Sequence, residues 1–353
     1  MTKVLVVDDS ALMRKYLRGI FESAHGFEVI TARNGVDALA QVHAEQPDVV
    51  TLDINMPEMD GLTCLGRIMT ESPRPVVMVS SLTEKGAVAT FEALELGAVD
   101  YVAKPGGTVS LNLDEVAEEI VATTRAAAKA RIRRAGGLSA RLRSQREEDT
   151  RRAATRPTRG STASGTELVL VGSSTGGPAI LPVIIGSLMS GFSAPVVIAQ
   201  HIPGSFSRQL AARIGDGGHL PSEEVSGTTE LLPGHVYLGR GDADVIITRR
   251  AGRLHARSVP TDATSRWHPS VNRMVTSAME HVEAAALVGV LLTGMGDDGA
   301  EAMHRLKAAG GRTVAESEES AVVWGMPGEL VKRGGATKVL PVDRIAEQLN
   351  RWV

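Results

Sequence analysis

Two sets of residues in this chain have types and spacings that could do chemistry. In the first, Asp8 and Asp9 follow the apolar run KVLVV, Asp53 follows DVVTL, Ser80 follows PVVMV, and Lys104 lies just beyond VDYV. Carboxylates brought together raise one another's pKa unless a cation sits among them, and a hard ion such as Mg2+ prefers such an oxygen set. An aspartate nucleophile, a divalent ion, a hydroxyl and an ammonium make a site for phosphoryl transfer to a carboxylate. Any single acid is better read as a helix cap or a solvated loop residue; five residues at four matching strand ends reverse that preference.

In the second set, Gly172-Ser173-Ser174-Thr175-Gly176 fits G-x-S-x-G, the sharp strand-to-helix turn that presents a serine hydroxyl. His201 follows the apolar run PVVIAQ, and LVGVLLTG leads into MGDDGA with Asp297 and Asp298. A serine hydroxyl is a weak nucleophile until an imidazole takes its proton, and the imidazole needs a carboxylate to fix its tautomer and stabilise its cation. The glycines could instead cradle a phosphate, but the stretch has neither the lysine of a P-loop nor GxGxxG spacing. A lone histidine after a strand is commonly a surface or capping group, and Asp297-Asp298-Gly299 could form a simple turn. Only the joint placement favours acyl transfer.

Both sets need a scaffold that carries them to one edge. β-Branched runs at 3–7, 27–31, 48–52, 75–79 and 99–102 alternate with helix-length segments such as NGVDALAQVHAEQ and FEALELGA, the latter closing near Gly97. Continuous apolar runs mark a parallel sheet covered on both faces. The expected fold is α/β, beginning with a flavodoxin-like domain of strand order 2-1-3-4-5 whose functional residues collect past the carboxyl ends of the strands. ELVLVG (167–172), PVVIAQ (195–200) and LVGVLLTG (287–294) predict a second doubly wound α/β domain in which Ser174, His201 and Asp298 share one edge.

Composition excludes other classes. At about 150 residues per domain, 353 residues imply two domains. No apolar run approaches the roughly 18 residues of a membrane helix, so no membrane insertion is expected. MTKVLVVDDS sets two aspartates straight after its first apolar run, unlike a secretory leader, and the chain is expected in the cytoplasm. Cys64, the only cysteine, reads as core. The net charge of −3 is uneven: from Arg125 to Arg159, twelve Lys or Arg meet three acids, a net +9 that leaves −12 for the rest. That Ala- and Arg-rich stretch reads as a linker. It could neutralise nucleic-acid phosphates, but it lacks aromatics for stacking and the second body is no helical DNA reader, so no nucleic-acid partner is expected.

VVDDS, LDINMPEMDG, MVSS and YVAKP resemble the receiver domains of response regulators over residues 1–122. GSSTGGP, AQHIPGSF, LLPGHVYLGRGD, LLTGMGDDGA and WGMPGE resemble the catalytic domain of the protein-glutamate methylesterases of chemotaxis, the CheB family, over 166–353, with the linker at 123–165. The resemblance implies that Asp53 is phosphorylated, that Asp8, Asp9, Asp53 and the Asn55 backbone carbonyl hold Mg2+, and that Ser80 and Lys104 sense the phosphoryl group, with a cis Lys104-Pro105 bond. It implies Ser174 as nucleophile, His201 as general base and then acid, and Asp298 as the carboxylate that orients it. Met295 would offer its backbone N–H to the oxyanion beside Thr175, with no cofactor for the ester chemistry. The implied substrates are glutamyl methyl esters and glutamines of methyl-accepting chemoreceptors, the implied phosphodonor is a chemotaxis histidine kinase, and the expected state is a monomer. His268-Pro-Ser-Val-Asn272 departs from the family's common Arg-Pro-Ser-Val-Asp, and the cleft edge is expected to lose charge there. The alternative of a silent interaction module is disfavoured by the complete Ser174, His201 and Asp298 set.

Overall fold

The computed structural model describes residues 1–81, 83–104, 113–130 and 165–353. The chain divides into two compact units, Met1–Gly137 and Leu138–Val353. Most of the expected linker, from 131 to 164, and Pro105 of the expected cis bond lie outside the described residues.

In the first unit β1 (Thr2–Val7), β2 (Phe27–Ala32), β3 (Val49–Asp53), β4 (Val76–Ser80) and β5 (Asp100–Ala103) form one parallel sheet in the order β2-β1-β3-β4-β5. They alternate with α1 (Ala11–Ser23), α2 (Gly35–Glu45), α3 (Gly61–Glu71), α4 (Glu84–Leu96) and α5 (Leu113–Ala127). Val4–Val7 and all of β3 and β4 are buried, which is why these runs lack a polar face; each buried Val or Leu contributes roughly 1.5–3 kcal/mol. Ser10, Asn34, Asp60 and Thr83 cap the first four helices, accepting from the N–H of Met13, Asp37, Thr63 and Gly86, so the chain turns sharply at the strand ends. At Gly61 an added Cβ would come 2.1 Å from the Asp53 carbonyl oxygen, and only glycine lets α3 start that close to β3. Helix α5 continues past residue 122. Arg125, counted with the basic stretch, donates from Nη2 to the carbonyls of Ala24 and His25 at 3.2 Å each and lies over the Phe27 ring.

The second unit begins with β6 (Leu168–Ser173), α6 (Gly177–Gly186), β7 (Val196–Gln200), α7 (Gly204–Asp216), β8 (Ser222–Val225), β9 (Thr228–Glu230) and β10 (Val236–Gly239). It continues through β11 (Asp244–Arg250), β12 (Arg253–Val259), α8 (Val271–His281), β13 (Leu287–Leu291), α9 (Ala300–Ala308), β14 (Arg312–Glu316), α10 (Met326–Lys332), β15 (Lys338–Leu340) and α11 (Val342–Trp352). Seven strands form a parallel sheet ordered β15-β14-β13-β6-β7-β10-β8. From β6 the sheet grows through β7 on one side and later through β13 on the other. The reversal makes a crevice at the carboxyl ends of β6 and β13, where ligands of open α/β sheets bind. A three-stranded antiparallel sheet, β11-β12-β9, was not foreseen. Its signature is an alternation of burial, with Val245, Ile247, Leu254 and Ala256 turned into the core and Ile246 and His255 between them less buried.

Candidate active site and receiver site

In the first unit the pairing of Val7 with Leu52 sets the residues after β1 beside the end of β3. Carboxylate oxygens of Asp8, Asp9 and Asp53 lie within 4.8 Å of one another, with Asp8 and Asp53 buried and Asp9 exposed. Lys104 Nζ reaches in from beyond β5 to 2.7 Å from Asp53 Oδ2 and 3.0 Å from Asp8 Oδ2. Burial pushes the Asp53 pKa above the ordinary carboxylate value, with Asp8 adding to the rise and Lys104 and the Asn55 N–H pulling against it. For Lys104 burial works downward, but its bonds to the two aspartates prevail and raise it. Three acids meet one ammonium in an all-oxygen cluster, a donor set that fits a hard divalent ion. Ser80 is buried, and its hydroxyl makes only long bonds, 3.4 Å each, to the carbonyls of Ser81 and Gly86. Cys64 is core, and burial pushes its thiol up to about 12.

In the second unit Ser174 follows β6 in a turn held on several sides. Its N–H donates to the Thr293 carbonyl at 3.0 Å, and its carbonyl accepts from Gly177 N at 2.8 Å and Gln200 Nε2 at 2.9 Å. Gly176 caps α6 at φ +81°, and a Cβ on Gly177 would lie 2.0 Å from Gln200 Oε1; Pro178 takes the second helical position. Gln200, buried at the end of β7, also donates to the His201 carbonyl at 2.9 Å and accepts from Ser173 Oγ at 2.6 Å. One side-chain amide thus ties the ends of β6 and β7 together.

His201 Nε2 lies 2.9 Å from Asp298 Oδ2. Asp298 is 6% exposed and sits on the N-terminus of α8, where Oδ2 also accepts from Val271 N at 2.7 Å. Its Oδ1 accepts from Asn272 N at 2.9 Å and Ser270 Oγ at 3.2 Å. Burial pushes its pKa up, but His201 and the helix N–H groups outweigh burial and hold it below the ordinary carboxylate value. An ionised carboxylate only accepts, so the hydrogen bond assigns the neutral imidazole's proton to Nε2 and its lone pair to Nδ1. Nδ1 is buried without a hydrogen-bond partner. The structure therefore brings His201 and Asp298 into contact but makes no bond from His201 to the Ser174 hydroxyl. Catalytic hydrogen bonds of this kind are often long or unformed without substrate and tighten only in its complex.

Thr293 joins the two turns. Besides taking the Ser174 N–H, it donates its hydroxyl to the Thr175 carbonyl at 2.9 Å and its N–H to the fully buried Glu316 carboxylate at 2.8 Å. The Met295 N–H donates to no acceptor among the described residues, whereas its neighbour Gly294 is bonded through both N–H and carbonyl. A cleft of about 670 Å³, lined by Gly296, Asp297, Trp324, Gly328, Glu329 and Lys332, opens beside this turn. Asp297 is exposed and 3.6 Å from Arg333, so only the second acid of the pair enters the His201 network.

At His268–Asn272, where the cleft edge was expected to lose charge, the two side chains make contacts within the fold. His268 Nδ1 is 2.9 Å from Asp244 Oδ1, and Asn272 Oδ1 caps α9 by accepting the Ala302 N–H at 3.0 Å. Both departures are absorbed in contacts within the fold. Asp244, 1% exposed, also accepts from Ser270 N and Arg273 Nη1 at 2.7 Å each; burial opposes its ionisation, but these partners hold its pKa below the usual range. Sequence reasoning missed Gln200, Asp244, Thr293 and Glu316; Gln200 and Glu316 are polar residues that close apolar strands, Thr293 lies two residues past one, and Asp244 opens its strand.

The profile of CheB methylesterases matches residues 169–349, and that of response regulator receiver domains matches 4–113. The chain is 56% identical over its whole length to protein-glutamate methylesterase/protein-glutamine glutaminase 3 of Rhodospirillum rubrum, covering 96% of that relative. It is 40% identical to the protein-glutamate methylesterase/protein-glutamine glutaminase of Archaeoglobus fulgidus, over 99% of this chain and 98% of the other. The CheB methylesterase catalytic domain of Thermotoga maritima, a crystal structure, superposes with a TM-score of 0.51 at 35% identity, over 53% of this chain and 99% of that one.

Proposed function

The chain belongs to the CheB methylesterase family, with a receiver domain ahead of the catalytic one, and from that premise we propose that it hydrolyses glutamyl methyl esters and deamidates glutamines on chemoreceptors under control of phosphorylation. The observation that carries the esterase reading is the buried Asp298–His201 pair, with an unpartnered imidazole nitrogen, beside the Ser174 turn. In this reading Ser174 rotates to donate to His201 Nδ1 and attacks the ester carbonyl as that nitrogen takes its proton. The Met295 N–H meets the oxyanion. His201 gives that proton to the departing methoxide oxygen, or to the departing amide nitrogen of a glutamine, so that methanol or ammonia leaves; it then takes a proton from the water that attacks the acyl-enzyme and returns it to the Ser174 oxygen as glutamate is released. Asp298 stays ionised throughout and stabilises the imidazolium.

In the receiver, Asp53 is the phospho-acceptor and the phosphodonor is a chemotaxis histidine kinase. Asp8, Asp9, Asp53 and the Asn55 carbonyl would hold Mg2+, which would supply charge neutralisation for phosphoryl transfer. Lys104 is already within reach of Asp53, and the loosely held Ser80 hydroxyl is free to turn toward a new anion. We assign the receiver to residues 1–122 together with the remainder of α5, and the catalytic domain to 166–353, joined by the basic segment, with the protein acting in the cytoplasm. The test is methanol release from methylated receptor membranes. Wild type should release it and Ser174→Ala should not; equal release by both refutes the nucleophile.

A further inference from the structure

Trp267 occupies a place that no motif explains. Its ring lies 5.5 Å from the His201 imidazole, centroid to centroid, with the two planes 9° apart. A Cβ added at Gly296 would come 3.2 Å from Trp267 Nε1, so the indole fills the space between the imidazole and the Met295–Asp297 turn. The Arg266 guanidinium carbon lies 5.2 Å from the Trp267 ring centroid.

His201 is tied through one nitrogen. The bond from Nε2 to Asp298 fixes that atom, but nothing bonded to Nδ1 fixes the plane of the ring. A parallel aromatic neighbour supplies the missing constraint, because rotation of the imidazole out of plane would drive it into the indole. When the imidazole takes the serine proton, the resulting cation lies over a π face, which attracts it. The geometry points to Trp267 as a positioning residue for His201: it sets the plane in which Nδ1 meets the Ser174 hydroxyl and favours the imidazolium formed during attack. This inference rests on the hydrolase reading above.

The test uses the full chain carrying Trp267→Ala, Trp267→Leu or Trp267→Phe. An aromatic pair of this kind corresponds to a kcat loss of about 3- to 10-fold, expected for both Ala and Leu, with KM within about twofold of wild type. Phe restores kcat to within about twofold. Leu and Phe both keep an apolar side chain of useful size, so a difference between them reports the π face and not folding. In an amide NMR spectrum, Trp267→Phe identifies the Trp267 indole N–H, and His201→Gln should move that signal while leaving those of Trp324 and Trp352 in place. An unchanged kcat in Trp267→Ala, equal kcat for Leu and Phe, a loss carried wholly by KM, or an indole signal indifferent to His201→Gln each overturns the assignment. Wild type and Ser174→Ala run alongside. If those two release methanol equally, the hydrolase reading has failed, and not merely the role of Trp267.

Discussion

Asp298→Asn separates the catalytic role proposed for Asp298 from its place on the N-terminus of α8, because one carboxylate serves both. Its two oxygens accept from Val271 N, Asn272 N, Ser270 Oγ and His201 Nε2. Whichever way an asparagine amide is turned, its NH2 faces one of the two backbone N–H groups of α8. An opposed, buried donor costs about 1–3 kcal/mol. At roughly 2–4 °C per kcal/mol for a unit of this size, the melting temperature should fall by about 4–8 °C if the cost is near 2 kcal/mol. All three tryptophans lie in the second unit, so their emission follows that unit without interference from the receiver. The rate should fall further than the stability suggests. Even in the better amide orientation the imidazolium loses its counter-charge, and in the other the amide donates to Nε2 and moves the lone pair away from the serine. The expected loss in kcat, measured by methanol release well below the melting temperature, is about 10²- to 10⁴-fold. A variant that melts early yet keeps kcat within about tenfold would refute the reasoning and reduce Asp298 to a cap.

Gln200→Ala should lower kcat about tenfold, with loss of stability, because it removes one of the two bonds to the Ser174 carbonyl and the bond to the His201 carbonyl and leaves the buried Ser173 hydroxyl unpaired; methanol release and tryptophan melting check both, and normal kcat with lowered stability would limit Gln200 to the fold. Asp244 and Asp298 both have depressed pKa values, so the stability they contribute is complete above the ordinary carboxylate value near 3.8 and is lost as pH falls through their lower folded values. Asp244→Asn should therefore destabilise the second unit near neutrality and flatten its acid melting curve; an acid curve parallel to wild type counts against the pairing. Asp53→Asn should abolish stimulation of esterase activity by a small phosphodonor, and chelation of divalent ions should do the same while sparing basal methanol release. Loss of basal release on chelation would place a metal in the ester chemistry.

The sheet ends were legible because continuous apolar runs and glycine turns are local in sequence. They placed Asp8, Asp53, Ser80 and Lys104 along one edge, and Ser174, His201 and Asp298 along another. What stayed hidden depends on contacts made at long range. Nothing near His201 says that its Nε2 faces the acid, since that orientation follows from where α8 sets its first N–H groups around a carboxylate 26 to 28 residues later. The stack of Trp267 on His201 joins positions far apart in the chain and has no periodicity to betray it. Arg125 read as linker because charge was the only visible signal, while its bonds go to the turn before β2, about a hundred residues earlier.

The His268–Asn272 departure shows how a motif difference can mislead about the level on which it acts. Counted as charge, the change from Arg and Asp to His and Asn removes two ions from the cleft edge and suggests altered substrate preference. In the structure the Asp244 carboxylate keeps a cation in Arg273, 2.7 Å away, and gains the His268 ring, so the local network remains closed. Asn272 does its work on the opposite side, where its amide oxygen caps α9 through Ala302 N. If that is its role, Asn272→Ala should cost about 1 kcal/mol and lower the melting temperature by roughly 2–4 °C. Methanol release should keep both kcat and KM, since the contact that Asn272 makes to Asp298 runs through its backbone N–H and survives the substitution. A raised KM with an unchanged melting temperature would return the position to substrate recognition and reinstate the lost charge as the relevant quantity.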